Sequence, residues 1–373
     1  MDDAIALAER ILQILDQGSF NSTYKYAVLL ALLDLCLERT TPDGTPPAEL
    51  TTRELAEKVV EIYWGHTVPY AESPGGPAVL RQNKSRPGTQ AEIVRRIQTF
   101  RSEGVLDPTL SLPLAKRAAL PAFDRLLDFV EWKLIEMPLP RLQTIGGQPD
   151  PFLYQIGWTG GVRRTPIADY QSGRTYDFDN RIRLFPGVAA QLVALNGLLR
   201  PLIQRQWAHD VARINRLPEA RLHAFLFGAA RTPTRAVRNA LVDLQHGRCF
   251  YCEQSVTGGK PFDVDHFIPW SCHPDHGIEN LVVADRSCNG NKRAHLAATA
   301  HVLRWVERNS GPQREVLAAV ARDAGWESRP ERTLGAASSI YLRLPDDFAL
   351  WVGRDRFERP ERAALQQVFA TAR

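Results

Sequence analysis

Apolar positions recur along this chain in two rhythms, and the longer, helical one dominates. Over residues 2–16, Ile5, Leu7, Ala8, Ile11, Leu12 and Leu15 share one broad face. Residues 23–38 are apolar nearly all round, which predicts a helix in the centre of a helical core; within them the run 27–33 is broken by Asp34. A turn-rich break follows at 41–47. Thr51 and Glu54 then form a capping box that opens a helix through about residue 64. Residues 68–88 are punctuated by Pro and Gly and carry Arg81, Lys84 and Arg86, and 89–103 read as a helix with Arg95, Arg96 and Arg101. Two helices followed by a basic turn are the pattern of a winged-helix DNA reader, or of a plain bundle with solvated arginines. Residues 114–137 continue the helical region. Short strands are expected at 152–158 and 181–185, joined by a long turn-rich connection over 159–179, with a long helical stretch at 187–215.

The shorter rhythm appears once with force. Residues 261–268 alternate loosely and are rich in Phe, Val and Ile, the pattern of a strand. A second apolar run falls at 278–284. From 286 to about 308 a helix is expected, with Leu296, Val302, Leu303 and Val306 as its stripe. An amphipathic helix at 313–324, a helical patch at 334–342 and an edge strand at 348–352 complete the chain. The expected organisation is a mainly helical region over 1–230, a small α+β module over 231–308, and a C-terminal segment over 309–373 packing on the core.

Composition changes this picture little. The chain is 44% hydrophobic and 24% charged, ordinary for a globular protein. No apolar run reaches the roughly 18 residues that a membrane span needs, and no signal peptide is visible, so a cytoplasmic protein without membrane contact is expected. The net charge of +4 decides nothing by itself. Its distribution does: from Leu195 to Arg248 nine arginines face three acids. That density, with Arg231, Arg235 and Arg238 at its end and Arg293 beyond, suits a surface that follows a phosphate backbone. An exposed helix with solvated arginines is the plainer alternative.

The chemistry concentrates between Arg248 and Leu296. Cys249-x2-Cys252 comes first, then Asp265-His266 at the end of the expected strand. Asn280 stands fourteen residues after that histidine, and Asn289 nine further on, inside Cys288-Asn289-Gly290-Asn291-Lys292. This order resembles the HNH endonucleases, the ββα-metal nucleases, over about 60 of 373 residues. The resemblance implies a zinc-knuckle ββα-metal module that cleaves DNA, with Asn280 bracing the loop after the first strand and orienting His266. It departs from the family pattern at Asp285, where a cysteine is usual, and at Asn289, where the family's final histidine stands.

The residue types support that chemistry on their own terms. Phosphodiester hydrolysis needs an activated water and a clamp on the phosphate oxygens. His266 is the candidate base, because imidazole titrates nearest neutrality. Asp265, on the other face of the strand, and the amide oxygen of Asn289 suit a hard ion such as Mg²⁺ or Mn²⁺. Lys292, three residues on, shares a helix face with Asn289 and would bring an ammonium toward the phosphate. Cys249, Cys252 and Cys288 read as thiolate ligands of a structural Zn²⁺. Asp285 is the leading fourth ligand, with Cys272, His273 and His276 as alternatives; a metal-free knuckle of buried cysteines is the plain reading. The functional expectation is a metal-dependent DNA endonuclease, in a setting such as restriction or anti-phage defence and with a possible partner protein from that system. A zinc knuckle that binds nucleic acid without cutting it, and an RNA substrate, are the rivals.

Overall fold

The computed structural model describes residues 2–17, 21–73, 75–84, 88–104, 110–175, 177–228 and 234–372. Helices make up 55% of the described residues, with a few short antiparallel strands between them. The chain forms two compact units, one of residues 1–36 with 47–228, the other of residues 37–46 with 229–373. No described helix is long and apolar enough to cross a membrane.

In the first unit the helix Tyr24–Glu38 is buried on every side from Tyr26 to Cys36. Having no polar face, it has nothing to turn toward water. Asp34 in its midst needs a counter-charge, and Arg200 supplies it at 2.6 Å, the two side chains being 4% and 2% exposed. The capping box forms: Thr51 and Glu54 exchange bonds at the start of the helix Thr52–His66, which packs on Leu120–Glu136. An antiparallel sheet runs Glu49–Thr51, Arg181–Leu184, Tyr154–Ile156.

Two expectations change here. The basic turn is not a solvated wing. Arg81 donates to the Ile214 carbonyl at 2.6 Å and Lys84 pairs with Asp210 at 2.6 Å, both on the helix Asn196–Asn215. Arg86 lies outside the described residues. The connection 159–179 contains a helix, Arg164–Gln171, which buries only Ile167 and so leaves no apolar period to read.

In the second unit Phe262–His266 and Leu281–Asp285 pair antiparallel, with Asp265 opposite Val282 and His266 opposite Leu281. The second strand is buried from Leu281 to Ala284, covered by Arg235–Leu244 and Arg286–Lys292. Its outer edge is closed by a side chain. Gln245 accepts the Val283 N–H at 2.7 Å and donates to the Val283 carbonyl at 2.9 Å, much as a third strand would. Beneath, Phe267 lies flat on Trp305, ring centroids 4.8 Å apart.

The single helix expected over 286–308 is two helices, Arg286–Lys292 and Thr299–Ser310. Arg293, at φ +50°, ends the first. Residues 296–298 then run beside the hairpin strand Leu350–Gly353: Trp351 donates to Leu296 and accepts from Ala298, each at 2.8 Å. Leu296 is thus apolar for a bridge rather than for a helical stripe. Residues 37–46 are integral to this unit. A Cβ added to Gly335 would lie 2.4 Å from the Glu38 carbonyl oxygen, and the Glu38 carboxylate lies 3.4 Å from His273 Nε2.

Candidate metal centre and active site

The sulfurs of Cys249, Cys252 and Cys288 lie within 4.8 Å of one another. Tetrahedral zinc with Zn–S bonds of about 2.3 Å would space its sulfurs by roughly 3.8 Å, so the group can hold such an ion after small adjustments. A hydrogen bond from the Cys288 thiol pulls the Cys249 thiol down to about 5, burial opposing it and backbone N–H groups of Cys252, Asp285 and Tyr251 assisting. The Asp285 N–H reaches this sulfur at 3.2 Å. These are donors that favour a thiolate.

The Asp285 carboxylate is engaged elsewhere. As N-cap of Arg286–Lys292 it accepts from Ser287 N–H at 2.8 Å and Cys288 N–H at 3.4 Å. It is not among the grouped ligand atoms, and neither are Cys272, His273 and His276. His273 is buried beside Glu38, and His276 lies against His266.

Along Phe262–His266, Asp263 and Asp265 meet the helix Arg286–Lys292, while His266 meets the loop beyond the strand. Lys292 is fully buried; its Nζ lies 3.0 Å from Asp265 Oδ2 and donates to the His266 carbonyl at 2.9 Å. Tyr251 donates to the same Oδ2 at 2.7 Å. The expected ammonium at the phosphate is therefore corrected: a carboxylate only 11% exposed requires a counter-charge, and Lys292 turns inward to provide it. Asn289 Nδ2 donates to Asp263 Oδ2 at 3.3 Å, and Arg286 approaches the other oxygen at 3.7 Å. Along the strand–helix seam Asp263 thus meets Asn289 and Arg286, and Asp265 meets Lys292; carboxylate and amide oxygens are the donors a hard divalent ion takes.

His266 Nε2 lies 3.2 Å from His276 Nδ1. Trp270 packs on both, its ring centroid 5.4 Å from His266 and 4.4 Å from His276. Burial, the largest cause, pushes each imidazole down to about 4, so both are neutral at pH 7. Asn280, fully buried, ties the loop at both ends. Its Oδ1 accepts from Ile268 N–H at 2.7 Å, and its Nδ2 donates to the carbonyls of Ile268 at 3.2 Å and Asp275 at 3.1 Å.

The basic residues differ among themselves. Arg235 and Arg293 are exposed. Arg238 is half-buried, donates to the Phe262 carbonyl at 2.7 Å and lies 4.1 Å over the Phe262 ring, so it helps seat the strand. Arg231 lies outside the described residues. Three residues of the site went unread in the sequence. Asp263 was signalled by its two-residue offset from Asp265. Tyr251 was hidden inside Cys249-x2-Cys252. His276 was weighed as a zinc ligand alone.

Residues 249–298 match the family model of the HNH endonucleases. No curated protein and no solved structure matches the chain. The motif region is therefore recognised as HNH, which suggests a nuclease-type, metal-dependent function on nucleic acid.

Proposed function

We propose that this chain is a metal-dependent HNH endonuclease that hydrolyses phosphodiester bonds in DNA. The observation that carries the reading is that one strand, inside the segment that matches the family, presents Asp263 and Asp265 to the motif helix and ends on His266, a buried imidazole held at the loop beyond it. Asp265 and Asn289, with Asp263 beside Asn289, would hold Mg²⁺ or Mn²⁺, which would supply Lewis-acid polarisation of the phosphate. His266 takes the proton of the attacking water. Asn280 fixes the loop that sets His266, and Lys292 holds Asp265 in place. Cys249, Cys252 and Cys288 would hold zinc, which would tie the start of the motif helix to the turn before the first strand. The strand, strand and helix then form a ββα-metal module, and the exposed Arg235 and Arg293 lie along the DNA. The helical N-terminal region selects the substrate or docks a partner, and restriction or anti-phage defence is the setting such a chain suits. A zinc knuckle that only bound nucleic acid would require neither the histidine nor the carboxylate pair.

The test is cleavage of supercoiled and linear DNA with and without Mg²⁺ or Mn²⁺, comparing the unaltered protein with His266→Ala. Loss of a general base removes about 10²–10⁴-fold, while DNA binding should persist. Unchanged cleavage in a folded His266→Ala protein would overturn the assignment.

A further inference from the structure

A histidine serves as a base only if the nitrogen facing the water carries a lone pair, and something must decide which nitrogen that is. In most histidine bases a carbonyl or carboxylate makes the choice. Here the group within reach of His266 Nε2 is a second imidazole, with 3.2 Å between His266 Nε2 and His276 Nδ1. Two ring nitrogens at this distance have one hydrogen between them, and the two ways of placing it differ in consequence. If His276 Nδ1–H donates, the remaining proton of His266 sits on Nδ1, its one lone pair is occupied, and it cannot act as a base. If His266 Nε2–H donates, Nδ1 is left with the lone pair. Only the second arrangement is compatible with the proposed chemistry.

We propose that His276 is a positioning residue whose Nδ1 accepts from His266 Nε2–H and so locks His266 in the tautomer with a free Nδ1. This deepens the nuclease reading and rests on it. The proton of the attacking water passes to Nδ1, the water oxygen bonds to phosphorus, and the departing oxygen takes a proton from solvent. As His266 becomes cationic, its bond to His276 becomes charge-assisted and strengthens.

The scaffold around His276 is rigid enough for that role. Trp326 Nε1 donates to the His276 carbonyl at 2.7 Å. Asp275 beside it accepts from Thr333 Oγ1 at 2.6 Å and from Gly277 N–H at 2.7 Å. With Asn280 also holding the Asp275 carbonyl, the backbone that carries the ring is tied on both sides, and Trp270 packs against the ring itself.

Two substitutions separate the acceptor from the ring. His276→Phe keeps an aromatic ring against Trp270 and removes the acceptor, whereas the side-chain oxygen of His276→Asn can stand where Nδ1 stood. In the full-length, zinc-loaded protein, His276→Phe should lower kcat on the order of 10²-fold with KM unchanged, and His276→Asn should recover most of the loss. Ring ¹⁵N spectra should show His266 as the Nε2–H tautomer in the unaltered and His276→Asn proteins, and as a mixture in His276→Phe. Equal impairment of the two variants, or an unchanged His266 spectrum in His276→Phe, would overturn the inference. His266→Ala runs alongside: unaltered cleavage there would remove the base itself, while the tautomer spectra would still decide the pairing.

Discussion

Lys292 offers the sharpest separation between a role in holding the site and a role in holding the substrate. Replacing it with Met keeps the length and apolar stem but deletes the charge beside Asp265. The pair lies at 3.0 Å with side-chain exposures of 0% and 11%, so solvent screening takes little from it. Removing one partner of a buried pair costs about 3–5 kcal/mol, chiefly because the other charge stays behind. The lost bond to the His266 carbonyl belongs to the same group and should not be added in full. Against a typical domain stability of about 5–15 kcal/mol, about 4 kcal/mol is a large loss. Hydrogen exchange of the strand Leu281–Asp285, in zinc-loaded protein without added Mg²⁺, reads it locally. The double variant Lys292→Met with Asp265→Asn should recover part of the loss, because no unpaired charge remains. A stability loss below about 1 kcal/mol, the range of an exposed pair, together with weakened and less salt-dependent DNA binding, would refute the argument and return Lys292 to the phosphate.

Two further outcomes follow from the same geometry. Elemental analysis should find one zinc per chain, Cys288→Ser should lose it, and X-ray absorption should show Zn–S distances of about 2.3 Å; a zinc-free protein with full activity would remove the structural role. Arg235→Glu should lower DNA affinity and reduce its salt dependence without changing stability, whereas Arg238→Glu should also destabilise the fold because its bond to the Phe262 carbonyl goes; identical behaviour of the two would contradict their different burial.

Much of the site was legible because its chemistry is written in spacing. Cys249-x2-Cys252, the Asp265-His266 pair and Asn289 can each be placed by a local rule, and so could the capping box at Thr51. What escaped depends on neighbours distant in sequence. Lys292 and Asn289 share a helix, but which of them faces solvent is decided by the buried Asp265 across the seam. The helix break at Arg293 could not be read from the apolar stripe, since Leu296 is apolar for the sake of Trp351 more than fifty residues later. His276 gave no signal of its role, because a tautomer is a property of a pair. Arg164–Gln171 was missed for the opposite reason: it is too exposed to leave a pattern.

The place of residues 37–46 in the second unit bears on how this protein is made and how it can be cut apart. They leave the ribosome long before the segment they complete, so the Glu38 and Thr40 carbonyls must await Gly335, which fits against them only because it lacks a side chain. A gene fragment encoding 229–373 would carry every motif residue yet leave His273 without Glu38, and the backbone around Gly335 without its partner. The HNH region is therefore not a cassette that can be transplanted by splicing at one linker: a graft has to carry the early loop with it.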